Sequence, residues 1–523
     1  MRKSTMAVAA MLAAAVSLGV PAAGASAAEP VKGGIANVVI QPEPPGLVAG
    51  MFGNAPSQMV AGNIYEGLVR LSPDLKPMPS LAESWEISDD AMTYTFKLKA
   101  GVKFHDGKPM TADDVVFSFD KFLRTLHVRT RGVLTHVEKI EALDPLTVRF
   151  TMKEAFSPMM TALEVGSGPI VPKHVYDNGT DYKMNPANAT PIGTGPYKFE
   201  KWEKGSFIHL VRNADYHEPG LPYLDELYYH VIPDGAARAI AYETGKVDVL
   251  PGGSVENFDV ERLSKLPGSC MTTKGWEFFS PLSFMWLNNR NAPLDDKRFR
   301  QAVMYAMDRD FAREVVWHGL GKVANGPIAS TTKYHDKDLK PYPYDPAKAK
   351  ALLKEMGYKG QPVRLLPLPY GETWLRWGEA VKQNLEDVGI KVETVATDVP
   401  GWNQKLAQWD YDIGFTFIYQ YGDPALGVSR SYITEQISKG SPWNNVEGYS
   451  NPKVDDLFAK GAVAPEAERP GIYKEVQKIL VEDVPVAWLT ELEFPTIYRC
   501  KVQNLVTTAI GVNDGFLDAW MEK

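Results

Sequence analysis

Hydrophobic and polar positions switch period repeatedly along this chain, and each switch predicts an element. From Thr93 to Lys99, Tyr94, Phe96 and Leu98 alternate with Thr95, Lys97 and Lys99, the two-residue period of a strand with one buried face. Gly101 and a turn at His105, Asp106 and Gly107 then lead to Thr111, an N-cap with Asp114 three residues on, which opens a helix running through Phe122. Farther along, Asp345 as N-cap and Pro346 at the first helical position start a helix that buries Leu352, Leu353 and Met356 and stops at Gly357. A second helix carries Trp374, Trp377, Val381, Leu385 and Val388 at three- and four-residue spacing and ends at Gly389, before a strand from Ile390 to Thr394. Ile413, Phe415 and Phe417 alternate with Asp412, Gly414 and Thr416. This strand delivers the turn Tyr419, Gln420, Tyr421, Gly422, Asp423, Pro424 to its C-terminal end, where open α/β sheets bind ligands. Helix, glycine and strand recur in that order without an internal repeat, heptad run or low-complexity tract, so the fold class is mixed α/β.

The first residues change the picture by setting a compartment. Arg2 and Lys3 precede an uncharged apolar stretch from Met6 to Val20, followed by Gly24, Ala25, Ser26 and Ala27, the pattern of a secretory signal cleaved after Ala27. That stretch spans about 15 residues, short of the ~20 a helix needs to cross a bilayer, and no later segment is apolar for that length. The expectation is therefore a soluble periplasmic protein, residues 1–27 being its signal peptide. No cysteine stands at the cleavage site to carry a lipid anchor, because the only two are Cys270 and Cys500. In an oxidising compartment these two either pair or stay as buried thiols, and the residues alone leave both readings open.

Size and charge narrow the function classes. Roughly 495 residues after the signal are too many for one core and predict two to four units. Net charge is −8, from 56 basic and 64 acidic residues with no long block of either sign, which supplies no electrostatic footprint for nucleic acid. The nine histidines are scattered, and none sits in a His-x-x-x-His or Cys-x-x-Cys spacing that would fix a metal. There is no Gly-x-Ser-x-Gly elbow. Gly193-Thr194-Gly195 runs into Pro196 and Tyr197 rather than into a phosphate-cradling helix, and Gly107-Lys108 is followed by Pro109 where a P-loop requires Ser or Thr. Hydrolase and ATPase readings therefore lack a signature, and no catalytic residue, cofactor or metal site is assigned.

Several blocks, taken in order, resemble a known family. Asn63-Ile64-Tyr65-Glu66-Gly67-Leu68, then Pro79 through Trp85, Tyr94 through Gly107, Thr111 through Val115, Pro191 through Tyr197, and Asp296 through Arg300 with Ala302, Ala306, Asp308 and Arg309 look like the peptide and nickel class of periplasmic substrate-binding proteins of ABC importers. The likeness extends over essentially all of the chain after the signal. It implies a two-lobed type II binding-protein fold with an additional small domain and a hinge of two crossover segments. Lobe I would comprise residues 28–78, 187–272 and 497–523, the small domain 79–186, and lobe II 273–496. Cys270 and Cys500 would then lie near the two crossings, which favours pairing them. The resemblance further implies a non-enzymatic monomer that captures a small-molecule or peptide-like solute and delivers it to two permease subunits with their ATPases. A sensor or chaperone on the same scaffold is the other class of function.

Dipeptide binders of this family hold the ligand ammonium on an aspartate three residues before an Asp-Pro pair, and its carboxylate on an arginine before a Pro-Tyr pair. The matching positions here are Gln420, before Asp423-Pro424, and Leu368, before Pro369-Tyr370. Both charges are absent, and a buried ammonium without a counter-charge costs several kcal/mol, so a free zwitterionic dipeptide is disfavoured. The candidate ligand contacts are Gln420, Tyr419, Tyr421, Trp402, Trp286, Asn288 (with Asn289), Trp374, Phe52 and Asn54. Rings stack on flat solute faces and amides pair with neutral polar groups, which points to a glycoside, an opine-like conjugate or a capped peptide.

Overall fold

The structure is a computed structural model of the 523-residue chain and describes residues 29–522; the segment read as an export signal lies outside the described residues. Three larger sheets organise the chain. A seven-stranded sheet has the spatial order Ser269–Thr272, Thr496–Arg499, Val249–Leu250, Ile35–Ile40, Glu226–Val231, Phe207–Arg212, Tyr197–Glu203. Its centre is parallel, with Ile35–Ile40 beside Glu226–Val231 in register Val38 to Tyr229, and its flanks are antiparallel. A four-stranded antiparallel sheet is built from Ala82–Ile87, Thr93–Leu98, Thr147–Met152 and Val137–Asp144. A six-stranded sheet runs Lys322–Val323, Val486–Glu491, Leu282–Leu287, Ile413–Ile418, Val363–Leu366, Val392–Thr394.

The cores show which parts pack together. Phe96, Phe119 and Phe150 of the four-stranded unit share one continuous buried cluster with Val38, Ile64 and Leu227 of the seven-stranded one. The six-stranded sheet has its own cluster around Phe284, Trp286, Trp377 and Phe415. The first two units thus share a core, whereas the third has its own, with Leu426 and Ala462 of the third touching the shared one.

Local signals in the sequence explain much of this. Thr93–Leu98 buries Tyr94, Phe96 and Leu98 as the alternation requires. The Thr111 amide donates to Asp114 Oδ2 at 2.9 Å, closing a capping box at the helix start. Asp345 accepts from the Lys348 amide at 2.9 Å, and Gly357 ends that helix at φ +77°. Ile413–Ile418 is the buried strand expected: it is flanked by strands on both sides, and Gly414 and Thr416 are as buried as Ile413 and Phe415.

The resemblance-bearing blocks turn out to be structural. Asn63 donates to the Met59 carbonyl and the Tyr229 hydroxyl and accepts from the Phe516 amide at 2.9 Å, pinning the C-terminal segment to the seven-stranded lobe. Glu66 accepts from the Tyr216 hydroxyl at 2.9 Å and faces His217 at 3.0 Å. A side chain at Gly193 would come within 2.0 Å of the Ile64 carbonyl oxygen, and one at Gly195 within 2.5 Å of that of Asn63, so the two blocks require each other. His105 bonds the Gly195 carbonyl at 3.0 Å, and burial pulls its pKa down to about 4, consistent with a neutral ring locking a turn.

The chain crosses between lobes twice, after Thr272 and again between Glu491 and Thr496. Gly275, at φ +89°, packs so closely on Gly511 that a Cβ would sit 2.6 Å from its Cα; only glycine fits on either side of this contact. Beside the crossings, Cys270 and Cys500 form a disulfide with Cα atoms 5.0 Å apart, closing a 230-residue loop. By chain-entropy arithmetic, a closure of that length contributes on the order of 5 kcal/mol.

Candidate ligand-binding junction

The two lobes meet around the end of strand Ile413–Ile418. Tyr419 lies against Phe279 (ring centroids 5.0 Å), Phe417 (5.8 Å) and Trp276 (6.3 Å), and Tyr421 against Phe278 (5.7 Å). Leu71, Leu75, Ala509 and Ile510 supply the first lobe's side of this cluster. Tyr421 adopts φ +53°, a left-handed conformation that costs a non-glycine residue about 1–2 kcal/mol. Contacts across the junction close it on both flanks. On one, Ser157 donates to the Ala462 and Ala464 carbonyls. On the other, the Thr373 hydroxyl donates to Glu256 at 3.0 Å, and Phe258 and His318 stand 6.4 Å apart.

Of the residues predicted from sequence, Tyr419 and Tyr421 are brought together here; the others are not. Gln420 is corrected outright. It is fully buried, its Oε1 accepts from the Ala329 amide (2.9 Å) and the Thr332 hydroxyl (2.8 Å), and its amide nitrogen donates to the Pro327 carbonyl (2.9 Å). With its oxygen and one N–H committed to the 327–332 loop and the side chain fully buried, this amide faces lobe II rather than a solute. Leu368 is buried in the lobe II core.

Trp286, Trp402 and Asn288 are corrected as well. The junction end of strand Leu282–Leu287 is Leu282, next to Ile418, whereas Trp286 and Asn288 lie at the opposite end, beside Gly414 and Asp412. Trp286 and Trp402 pack on each other at 6.1 Å inside the core, and Asn288 donates to the Tyr411 carbonyl at 2.9 Å. Asn289 is likewise spent on the Leu287 and Pro485 carbonyls. Trp374 is core too, stacked on Phe417 and edge-on to Trp317, which makes it a support for the junction rather than its surface. Asn54 caps helix Ala55–Ile64 by accepting from the Ser57 amide at 2.9 Å, and half-buried Phe52 lies over Gly46.

Two arginines that the sequence reading passed over stand at the centre. Arg129, from the four-stranded unit, places its guanidinium 3.9 Å from the Tyr421 ring centroid, and Arg430, from lobe II, lies 5.7 Å from the same centroid. Arg129 donates to the Ser167 hydroxyl at 2.7 Å and sits 3.6 Å from Glu164. Glu164 is fully buried and also accepts from the Gly166 amide and the Ser167 hydroxyl; its burial raises its pKa, an effect Arg129 opposes. Arg430 reaches only the Gly427 and Tyr419 carbonyls, at 3.3 and 3.4 Å. Among the described residues no carboxylate lies within 4 Å of it, and burial, with the like charge of Arg129, lowers its pKa. No residue spacing marks Arg430, because what singles it out is a missing partner.

Two α/β lobes joined by two crossings, with aromatic rings and two guanidinium groups at their junction, define the class of bilobal solute-binding proteins. The model for bacterial extracellular solute-binding proteins, family 5 middle, matches residues 76–438, and the chain belongs to that family. It is 30% identical over 456 residues to the glutathione-binding protein GsiB of Pectobacterium atrosepticum, covering 83% of this chain and 84% of that protein. Its structure resembles that of the periplasmic binding protein DppA from Helicobacter pylori in complex with the peptide STSA (TM-score 0.82, 26% identity, 94% and 99% of the two chains). It also resembles AgaA from A.tumefacien in complex with agropinic acid (TM-score 0.80, 27% identity, 94% and 99%). The chain is thus a solute-binding component of an ABC importer, of an extracytoplasmic family that captures solutes for transport.

Proposed function

We propose that this protein works as a periplasmic monomer that encloses one small polar solute at the Tyr419–Tyr421 junction and presents the closed form to two permease subunits driven by their ATPases. The observation that carries this reading is the convergence of both lobes on Tyr421: Arg129 from one side, Arg430 and the 419–421 turn from the other. Solute that touches both faces only when they meet favours closure, since a ligand shifts an equilibrium by its differential affinity for the two states. Tyr419 and Tyr421 give stacking surfaces, and the guanidinium groups give orientation. Residues 1–27 would act as the cleaved export signal, and the binding step involves no chemical conversion.

The buried, loop-bonded Gln420 and the buried Leu368 support a solute other than a free dipeptide, because neither provides the charges such a ligand needs. A peptide-like conjugate or an opine-like acid fits the junction better, in line with the glutathione and agropinic acid named for two relatives. Native mass spectrometry of protein purified from its host tests this. A stoichiometric small molecule, released unchanged on denaturation, is expected; a bound species converted to product on incubation contradicts it.

A further inference from the structure

Resting on the solute-binding reading above, we infer that the solute must bring a carboxylate, which lies between Arg430 and Arg129 and serves as the counter-charge without which the lobes do not stay closed. Several other enclosed arginines offer a contrast. Arg469 has Asp423, Arg70 has Asp514, and Arg300 and Arg309 each fill their forks with backbone carbonyls at 2.6–3.2 Å. Arg430 has two long carbonyl contacts and leaves Nη1 without a hydrogen bond to any described residue. Enclosing a guanidinium without a counter-charge is costly, and the cost rises when a second cation is brought to the same ring.

The placement of the two cations makes this a property of closure. Arg129 follows His127, the N-cap of helix Val128–Val133 in the four-stranded unit, and Arg430 belongs to the Ser429–Ser431 turn of lobe II. They approach each other only when the lobes meet over Tyr421. Glu164 is spent on Arg129, the Gly166 amide and the Ser167 hydroxyl, so the pair retains one net positive charge. An opposing carboxylate on the solute removes that charge and accepts the paired N–H groups of Arg430. The two nearest acidic side chains give an ammonium no free seat, since Asp423 is closed off by Arg469 at 2.7 and 2.8 Å and Glu164 is paired with Arg129 and Ser167. The solute class is therefore a carboxylic acid whose amine, if any, is acylated or remote.

Protein stripped of bound solute by reversible denaturation tests this in two arms. In the first, without solute, X-ray scattering of the full chain is expected to give a larger radius for wild type than for Arg430→Gln, which loses the repulsion; equal radii overturn the gating role. In the second, glutathione, N-acetyl-dialanine and succinate are titrated against both proteins alongside their methyl esters. At least one free acid is expected to bind wild type, with a 100-fold or greater loss on esterification and on Arg430→Gln, while Arg430→Lys retains part of the affinity. No binding by any acid, or equal binding of acid and ester, overturns the inference. A neutral solute that co-purifies and binds Arg430→Gln as well as wild type also overturns it, yet leaves solute capture standing. Absence of any bound solute, native or added, defeats both.

Discussion

Arg469 and Arg430 lie in the same lobe, each beside tyrosine rings, and they differ in what faces the guanidinium. Arg469 is fully buried and donates to both oxygens of Asp423, to the Tyr334 hydroxyl at 2.7 Å and to the Gly461 carbonyl at 2.7 Å, with its carbon 4.6 Å from the Tyr334 ring centroid. Burial works against its charge, yet Asp423 more than offsets that, and its pKa is raised. Arg430 is half-buried with no carboxylate of a described residue within 4 Å, and desolvation together with the like charge of Arg129 lowers its pKa. Evolution of a fold can satisfy a buried cation internally, and here it has done so for the residue that holds lobe II together. The residue at the junction is left for something that arrives from outside.

Breaking the satisfied member should have the largest effect. Asp423→Asn leaves Arg469 enclosed without its counter-charge, and a loss of about 3–5 kcal/mol in unfolding free energy is expected, read from urea denaturation. Gln420→Asp comes next. It removes the donor to the Pro327 carbonyl and buries a charge among groups arranged for an amide, so a loss of about 2–3 kcal/mol is expected, with no improvement in dipeptide binding by calorimetry.

Glu447 sharpens the comparison from the acidic side. It is fully buried, neither carboxylate oxygen has a hydrogen-bond partner, and burial raises its pKa well above the ordinary value, opposed only by its own backbone amide and by Arg290. A carboxyl held neutral in the fold binds its proton more tightly than in the unfolded chain, so its share of stability is present below the unfolded pKa and is lost as pH rises toward the folded one. Glu447→Gln should therefore flatten the fall in stability above about pH 4.3, with a benefit of about 1 kcal/mol at neutral pH, measured as thermal midpoints across a pH series. Smallest of all, Arg430→Gln should change the stability of the solute-free protein by about 1 kcal/mol or less, while abolishing solute retention.

What the sequence revealed follows the range of the forces involved. Caps at Thr111 and Asp345, the glycine stop at Gly357 and the alternation of Tyr94, Phe96 and Leu98 act over a few residues, and all are where the pattern puts them. The turn Tyr419–Tyr421 was found because a strand end announces itself locally. Gln420 was misread because its partners, Pro327, Ala329 and Thr332, lie some ninety residues away and nothing in a strand-end turn signals them. Trp286 and Trp402 were misread because aromatic residues serve cores and clefts alike, and which end of a strand faces the other lobe depends on the sheet order. Arg129 and Arg430 are 301 positions apart, and they share a ring only once the four-stranded unit and lobe II have come together.

Closure around a solute can be measured directly between Phe258 and His318, which lie on opposite lobes with rings 6.4 Å apart. Phe258→Cys and His318→Cys place spin labels on a chain whose native cysteines are already paired. Electron–electron distance measurements on the stripped protein should give a long, broad separation that collapses to one short distance when the co-purified solute is restored. A distribution that stays the same with and without that solute would contradict the account.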